Sequence, residues 1–234
     1  MRALVALALC SFVLPAFAQP QDPFTGSIAL GYLATSGNTD STNANASLRV
    51  EWSPDGRWRH RWDALAVSAR TNEVTTAEAY SAGYTGRRDF SEANYLFASL
   101  DWRQDRFSGY EQQISETVGF GRRLLDSERQ TLALEGGGGA KQSTLLDGTD
   151  VDEAIVRGAL DYVLRFNENA EFNQKIVTEV GEDNRYTEFV SALRTRVLGN
   201  LAVVVSYTLK RNSDVPPDIQ NTDTFTSISL EYGF

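Results

Sequence analysis

Cysteine, histidine and methionine are almost missing from this chain: in 234 residues each occurs once, as Cys10, His60 and Met1. A single cysteine excludes a disulfide framework and a cysteine-based zinc site, and a single histidine removes the usual multi-histidine centre. No cofactor and no metal site is therefore expected. Positive charge is also short, with 22 Lys and Arg against 31 Asp and Glu for a formal net charge of −9. Such a balance leaves no basic patch able to neutralise a run of phosphates, so nucleic acid is excluded as a partner. Beyond the N-terminus the chain lacks any run of about eighteen apolar residues, so no helix of the mature protein is expected to span a bilayer. A hydrophobic content of 41% still suits a membrane protein whose spanning elements are strands with one polar face.

The first eighteen residues read as an address. Met1-Arg2 is a short positive start, Ala3–Val13 an apolar stretch, and Pro15-Ala16-Phe17-Ala18 an A-x-A cleavage site before Gln19. Cys10 follows Leu9, where a lipoprotein signal needs a small residue, so lipidation is not expected. Residues 1–18 are thus assigned as a signal peptide and 19–234 as the exported domain.

What remains keeps a period of two. Ala44, Ala46, Leu48, Val50 and Trp52 alternate with Asn43, Asn45, Ser47, Arg49 and Glu51, and Val156, Gly158, Leu160, Tyr162, Leu164 and Phe166 alternate with Arg157, Ala159, Asp161, Val163 and Arg165. Alternation of this kind gives one face for oil and one for water. Turn signals divide the chain into about twelve strands near 26–35, 43–52, 57–70, 78–86, 93–104, 113–125, 130–141, 153–166, 171–180, 187–198, 201–210 and 223–234. Most reach the length that crosses a bilayer at a tilt. The sixth is poorly phased, with Glu116 and Arg122 on the face of Val118 and Phe120, which suggests a bulge or a misplaced end.

Connections supply a second signal. Ser53–Gly56, Asp126–Arg129, Asn167–Ala170 and Gly199-Asn200 read as tight turns, with Gly86–Glu92 the exception. The intervening connections, among them Asp105–Gln112, Gln142–Asp152 and Arg211–Thr222 with Pro216-Pro217, read as longer. Short turns at one end, longer loops at the other and an even strand count predict an all-β, up-and-down antiparallel transmembrane barrel in the cell outer membrane, with both termini periplasmic. Trp52 and Trp58, and Phe166 and Phe172, flank two of the short turns as an interfacial girdle would, while Tyr32, Tyr80, Trp102 and Tyr207 fall toward the other rim. A soluble β-sandwich is the rival fold, disfavoured by the long, nearly uniform strands. The ending Ile228-x-Leu230-x-Tyr232-x-Phe234 resembles the signal read by barrel-assembly machinery.

The opening Gly31-Tyr32-Leu33-Ala34-Thr35-Ser36-Gly37-Asn38-Thr39 and the closing Glu231-Tyr232-Gly233-Phe234 resemble the family of salt-induced outer membrane proteins, a family of unknown function. The resemblance implies a Gram-negative outer-membrane barrel, here linked to a salt or osmotic response, and carries no catalytic or binding residue across. Ser36–Thr39 itself reads as a loop in which Gly and Asn tolerate positive φ.

Candidate chemistry is sparse. A Ser/His hydrolase needs a histidine base, but His60 lies in Trp58-Arg59-His60-Arg61-Trp62, on the face of the tryptophans and near a short turn, so an interfacial role is expected. No enzyme activity is assigned. Placing the polar phase inside makes Arg49, Arg59, Arg61, Arg103, Arg157, Arg165, Arg194, Arg196, Glu51, Asp101, Asp161 and Glu179 lumen-lining candidates, within an interior of fourteen basic against ten acidic residues. Such charges must pair or meet water, so a narrow, anion-leaning passive channel and a salt-bridged, envelope-structural plug both satisfy the pattern. The outer connections carry eleven acidic residues against three basic. Asp147-Gly148-Thr149-Asp150-Val151-Asp152 departs from the EF-hand pattern and reads as solvated charge, with weak divalent bridging to lipopolysaccharide phosphates as the alternative. Gly136–Gly139, without a following Lys-Ser/Thr, reads as close backbone approach or sharp curvature of the wall. The expected partners are outer-membrane lipid, lipopolysaccharide and the assembly machinery, for a monomer. A barrel enzyme acting on lipid or peptide, or a surface-loop receptor or adhesin, is the alternative.

Overall fold

The computed structural model describes residues 23–35, 41–106, 108, 110–215 and 219–234. The proposed signal peptide, the Ser36–Thr39 motif and Pro216-Pro217 lie outside the described residues. Twelve strands follow in order: β1 (Phe24–Thr35), β2 (Ser41–Trp52), β3 (Trp58–Thr71), β4 (Val74–Asp89), β5 (Asn94–Asp105), β6 (Tyr110–Asp126), β7 (Gln130–Leu145), β8 (Asp150–Arg165), β9 (Ala170–Val180), β10 (Arg185–Leu198), β11 (Leu201–Asn212) and β12 (Thr222–Gly233). Each pairs antiparallel with its sequence neighbour, and β1 meets β12 to close the barrel. The period of two therefore predicts every strand. At about 3.3 Å per residue and a tilt of about 40°, twelve residues cover about 30 Å, the apolar thickness of a bilayer.

The larger departures of strand ends from expectation are extensions. β4, β6, β7 and β8 run on by several residues, so the connection expected at Gln142–Asp152 shrinks to residues 146–149. The connection expected at 72–77 is a two-residue hairpin whose Asn72 and Glu73 have φ of 48° and 66°, the positive values that a twisted hairpin demands. Long loops at one end are therefore not a general feature; residues 213–221 form the longest connection that the structure bounds. Polar residues misled the reading because alternation continues in Thr75-Thr76 and Thr144 without an apolar partner to reveal it.

At the opposite end the turns are chemically specified. The Asp55 carboxylate accepts hydrogen bonds from the backbone N–H of Arg57 (3.0 Å) and Trp58 (2.8 Å), which hold it below the usual carboxylate range, and Gly56 supplies φ of 72°. Asn167 caps its own turn through Asn169 N–H and Ala170 N–H.

Register fixes the two faces. Leu48 opposite Ile28 and Ala64, and Leu100 opposite Tyr84 and Glu116, place the apolar phase outside. β6 is bulged between Tyr110 and Gln112 and between Arg123 and Leu125, at its two ends. The bulges leave Glu116 and Arg122 on the outer face. On the inner face Gly119 and Gly121 make room for the rings of Phe97 and Tyr95, and a Cβ at Gly137 or Gly139 would collide with the backbone of β6. Gly136 and Gly138, pointing outward, meet open space or ordinary contact. The glycine run thus marks a place where β6 and β7 fold sharply toward each other.

The seam between β1 and β12 is short. Paired residues run from Ser27↔Gly233 to Leu30↔Leu230, and Gly26 and Phe234 exchange backbone hydrogen bonds of 2.8 and 2.9 Å. The Phe234 ring lies against Gly26, where a Cβ would come within 2.6 Å of it.

Candidate functional site

The inside of the barrel is where charged residues gather, because alternation sends every second side chain there and the polar phase of most strands faces inward. Arg103 on β5 reaches across to Glu179 on β9 with two hydrogen bonds of 3.1 and 2.6 Å, Ser115 Oγ donates to the same carboxylate (3.2 Å), and the guanidinium lies 4.3 Å from the centroid of the Tyr186 ring. Lys141 pairs with Glu153 beside them (2.8 Å). Nearer the short turns Glu135 accepts from Arg87 (2.7 Å), Arg157 (3.0 Å) and Tyr95 (3.1 Å). These pairs are close to dry, with side-chain exposures of 15% and 0% for Arg103 and Glu179 and of 1% and 9% for Lys141 and Glu153.

Asp63 is a different case. It accepts from Arg49 and Arg61, each at 2.9 Å, yet Arg49 is 61% and Asp63 35% exposed, so water reaches this cluster. It sits between two chambers. One, of about 380 Å³ near the short turns, is lined by Arg59, Arg61, Arg87, Arg123 and Arg165 together with Glu51, Asp126 and Asp161. The other, of about 300 Å³ toward the opposite rim, is lined by Asn43, Asn45, Leu65, Val67, Ser206, Lys210 and Phe225 among others. On β2 and β3 the inward positions separating them are Ser47, Arg49 and Asp63.

The structure places the twelve lumen-lining candidates as follows. Arg49, Arg103, Arg157 and Glu179 stand in the ion pairs above, and Arg194 pairs with Glu231 at 2.6 Å. Arg59, Arg61, Arg165, Glu51 and Asp161 line the arginine-rich chamber. Asp101 points inward over Gly83, where a Cβ would meet its carboxylate at 3.0 Å, and Arg196, opposite Ala202, is exposed near the short-turn end. Sequence reasoning missed Asp89, Asp105 and Asp126. Asp89 pairs with Arg123 (2.8 Å), Asp105 approaches Lys210 across the lumen (3.9 Å), and Asp126 lines the arginine-rich chamber. Asp223, at the first residue expected for the last strand, also lines the other chamber. Arg57, one of the fourteen basic residues expected inside because the third strand was expected to begin there, lies in the turn before β3. The expected cationic excess of the whole lumen is thereby corrected to near balance. Strands that run past their expected ends carried carboxylates inside that had been assigned to loops.

His60 is on the outer face, stacked between Trp52 (5.1 Å) and Trp58 (5.7 Å), with Nδ1 2.8 Å from the Tyr84 hydroxyl. Asp147 accepts from Thr149 N–H, which holds its carboxyl below the usual range, and Asp150 accepts from Thr144 Oγ1. Among the described residues, no three His, Cys, Asp or Glu side chains are grouped to hold a metal ion.

A closed antiparallel barrel with an apolar outer face, aromatic residues at its rim and ion pairs inside defines the class of outer-membrane-type β-barrels. Solved structures of that class share the fold: the translocator domain of the autotransporter NalP from Neisseria meningitidis (TM-score 0.52, 6% identity, 93% of this chain and 90% of that one) and the COG4313 outer membrane channel from Pseudomonas putida F1 (0.50, 11%, 93% and 99%). The NanC porin is similar at a TM-score of 0.50 and 11% identity over 89% of this chain and 97% of that one. Within the class, the chain belongs to the family described as a protein of unknown function, DUF481, which matches residues 28–234. The uncharacterized protein YdiY of Escherichia coli (strain K12) is 28% identical over 216 residues, covering 92% of this chain and 85% of the relative.

Proposed function

We propose that this protein is a non-enzymatic barrel of the Gram-negative outer membrane and works as a narrow passive channel. The observation that carries the reading is the water-exposed Arg49–Asp63 cluster between two chambers, since a lumen filled from end to end by ion pairs would bury that pair like the others. Anion preference is local in this reading. It comes from the five guanidinium groups of the chamber near the short turns, not from the balanced lumen as a whole. Signal-peptide export, periplasmic termini, insertion through the assembly machinery by the strand ending at Phe234, a monomeric state and contact with lipid and lipopolysaccharide complete the proposal. The salt or osmotic link rests on family resemblance; protein levels measured across steps of sodium chloride test it.

The mature protein, folded in detergent and added to a planar bilayer, is expected to give discrete conductance steps. Arg49→Gln is expected to move the reversal potential toward cation preference, because it removes a charge at the constriction while leaving Asp63 paired with Arg61. Silence from protein shown to be folded overturns the channel and leaves the salt-bridged strut.

A further inference from the structure

Beyond a route along the lumen, the geometry points to a binding site on the outer wall for the headgroup of a phospholipid that carries net negative charge. Two arginine doublets define it, Arg87-Arg88 at the end of β4 and Arg122-Arg123 near the end of β6. In each doublet alternation sends one guanidinium inward, where Arg87 pairs with Glu135 (2.7 Å) and Arg123 with Asp89 (2.8 Å). The other two, Arg88 and Arg122, are exposed on the lipid-facing phase, and among the described residues neither stands in an ion pair. Trp58, Arg88, Leu96 and Phe120 oppose one another in turn across β3 to β6, and Arg122 lies one outward position nearer the short turns, opposite Asn94 and Leu134. With strands about 4.8 Å apart and a rise of about 3.3 Å per residue, the Cα atoms of Arg88 and Arg122 are about 12 Å apart, within reach of one headgroup for two side chains of that length.

The surroundings select the ligand. Toward the short turns the outward positions of β3 to β7 hold no carboxylate, and Glu92, in the turn between β4 and β5, forms no ion pair with either arginine. Glu116, the next charge up the outer face of β6, is six residues from Arg122, about 20 Å along the strand. A guanidinium on a lipid-facing wall needs a counterion, and the phosphodiester at the hydrocarbon boundary is the anion that a bilayer supplies there. The Arg88 guanidinium lies 5.6 Å from the centroid of the Trp58 ring, a contact that occupies its flat face and leaves the N–H donors along its edge to fork onto phosphate oxygens. An ammonium-bearing headgroup finds no carboxylate beside these two cations, so the site favours a head of net negative charge over a zwitterion. Next to the arginines the wall is apolar, with Phe90, Leu96 and Phe120 exposed. The next outward rung, from Ala98 through Val118 to Gly138, carries short side chains over which an acyl chain can lie.

The test mixes the mature protein, folded in detergent, with equal amounts of phosphatidylglycerol and phosphatidylcholine of matched chain length, and native mass spectrometry counts the lipid that stays bound. Preferential retention of phosphatidylglycerol is expected. Arg88→Gln and Arg122→Gln are each expected to lower that preference about fivefold, and the double variant to bring the two lipids to parity. Arg211→Gln removes an exposed arginine from the outward phase at the far end of β11 and is expected to leave the preference intact. Mobility of the unboiled protein on a denaturing gel shows that each variant is folded. Equal retention of the two lipids by the parent, a preference that survives in the double variant, or an equal loss in Arg211→Gln overturns the site. That the lipid comes from the periplasmic leaflet rests on the proposed placement of the short turns. Binding in detergent reads the site whatever the orientation and whether or not the bilayer recording shows conductance, so the two proposals fail separately.

Discussion

Glu179 and Asp63 are both carboxylates facing guanidinium groups inside the barrel, and water separates their energetics. Glu179 is fully buried and holds Arg103 by two hydrogen bonds. Removing its charge strands a guanidinium that has nowhere else to go, so Glu179→Gln is expected to destabilise the folded barrel by about 3–5 kcal/mol. Asp63 and Arg49 are partly solvated, and Asp63→Asn is expected to cost about 1 kcal/mol or less, since an exposed pair gains little over its hydrated components. Urea unfolding of the two variants in the same lipid or detergent checks the difference. Equal losses would mean that water does not reach the Arg49–Asp63 cluster, and with it the case for a route through that point would go.

At the scale of a strand, the glycine run in β7 holds two roles that alternate along it. Gly139→Ala is expected to cost about 1–3 kcal/mol, because its Cβ is directed into the backbone of β6 at Glu116 and Thr117. Gly136→Ala, directed outward into open space, is expected to be neutral or stabilising, as a side chain on a pleated surface restores what glycine lacks. Refolding yield and unfolding midpoint for both variants decide the matter. Strands as elements were legible because alternation is a local signal: Ala44 to Trp52 needs no knowledge of its neighbours to declare its outer face. Asp89, Asp105 and Asp126 were not legible as lumen residues, because a carboxylate at a strand end looks the same whether the strand stops or continues. The ion-paired partners were illegible for another reason. Arg103 and Glu179 are 76 residues apart, and only closure of the barrel brings β5 and β9 face to face.

For the molecule as a whole, closure depends on a few residues at one end. Gly26→Val is expected to displace the Phe234 ring and weaken the clasp, since a Cβ there also approaches the carbonyl of Arg49 at 2.8 Å. The measurement is the temperature at which the protein, loaded unboiled on a denaturing gel, changes from its compact to its unfolded mobility; a transition unchanged from that of the parent would place the closing strength elsewhere. Among the described residues the β1–β12 ladder is the shortest in the wall, and beyond Leu230 the last strand is held by Ser229 Oγ donating to Asn45 on β2, so the ring closes on a thin seam. Circumferential tension in a ring concentrates at its weakest joint, so the lateral pressure of the surrounding bilayer, which depends on its thickness and lipid packing, is felt first at that seam.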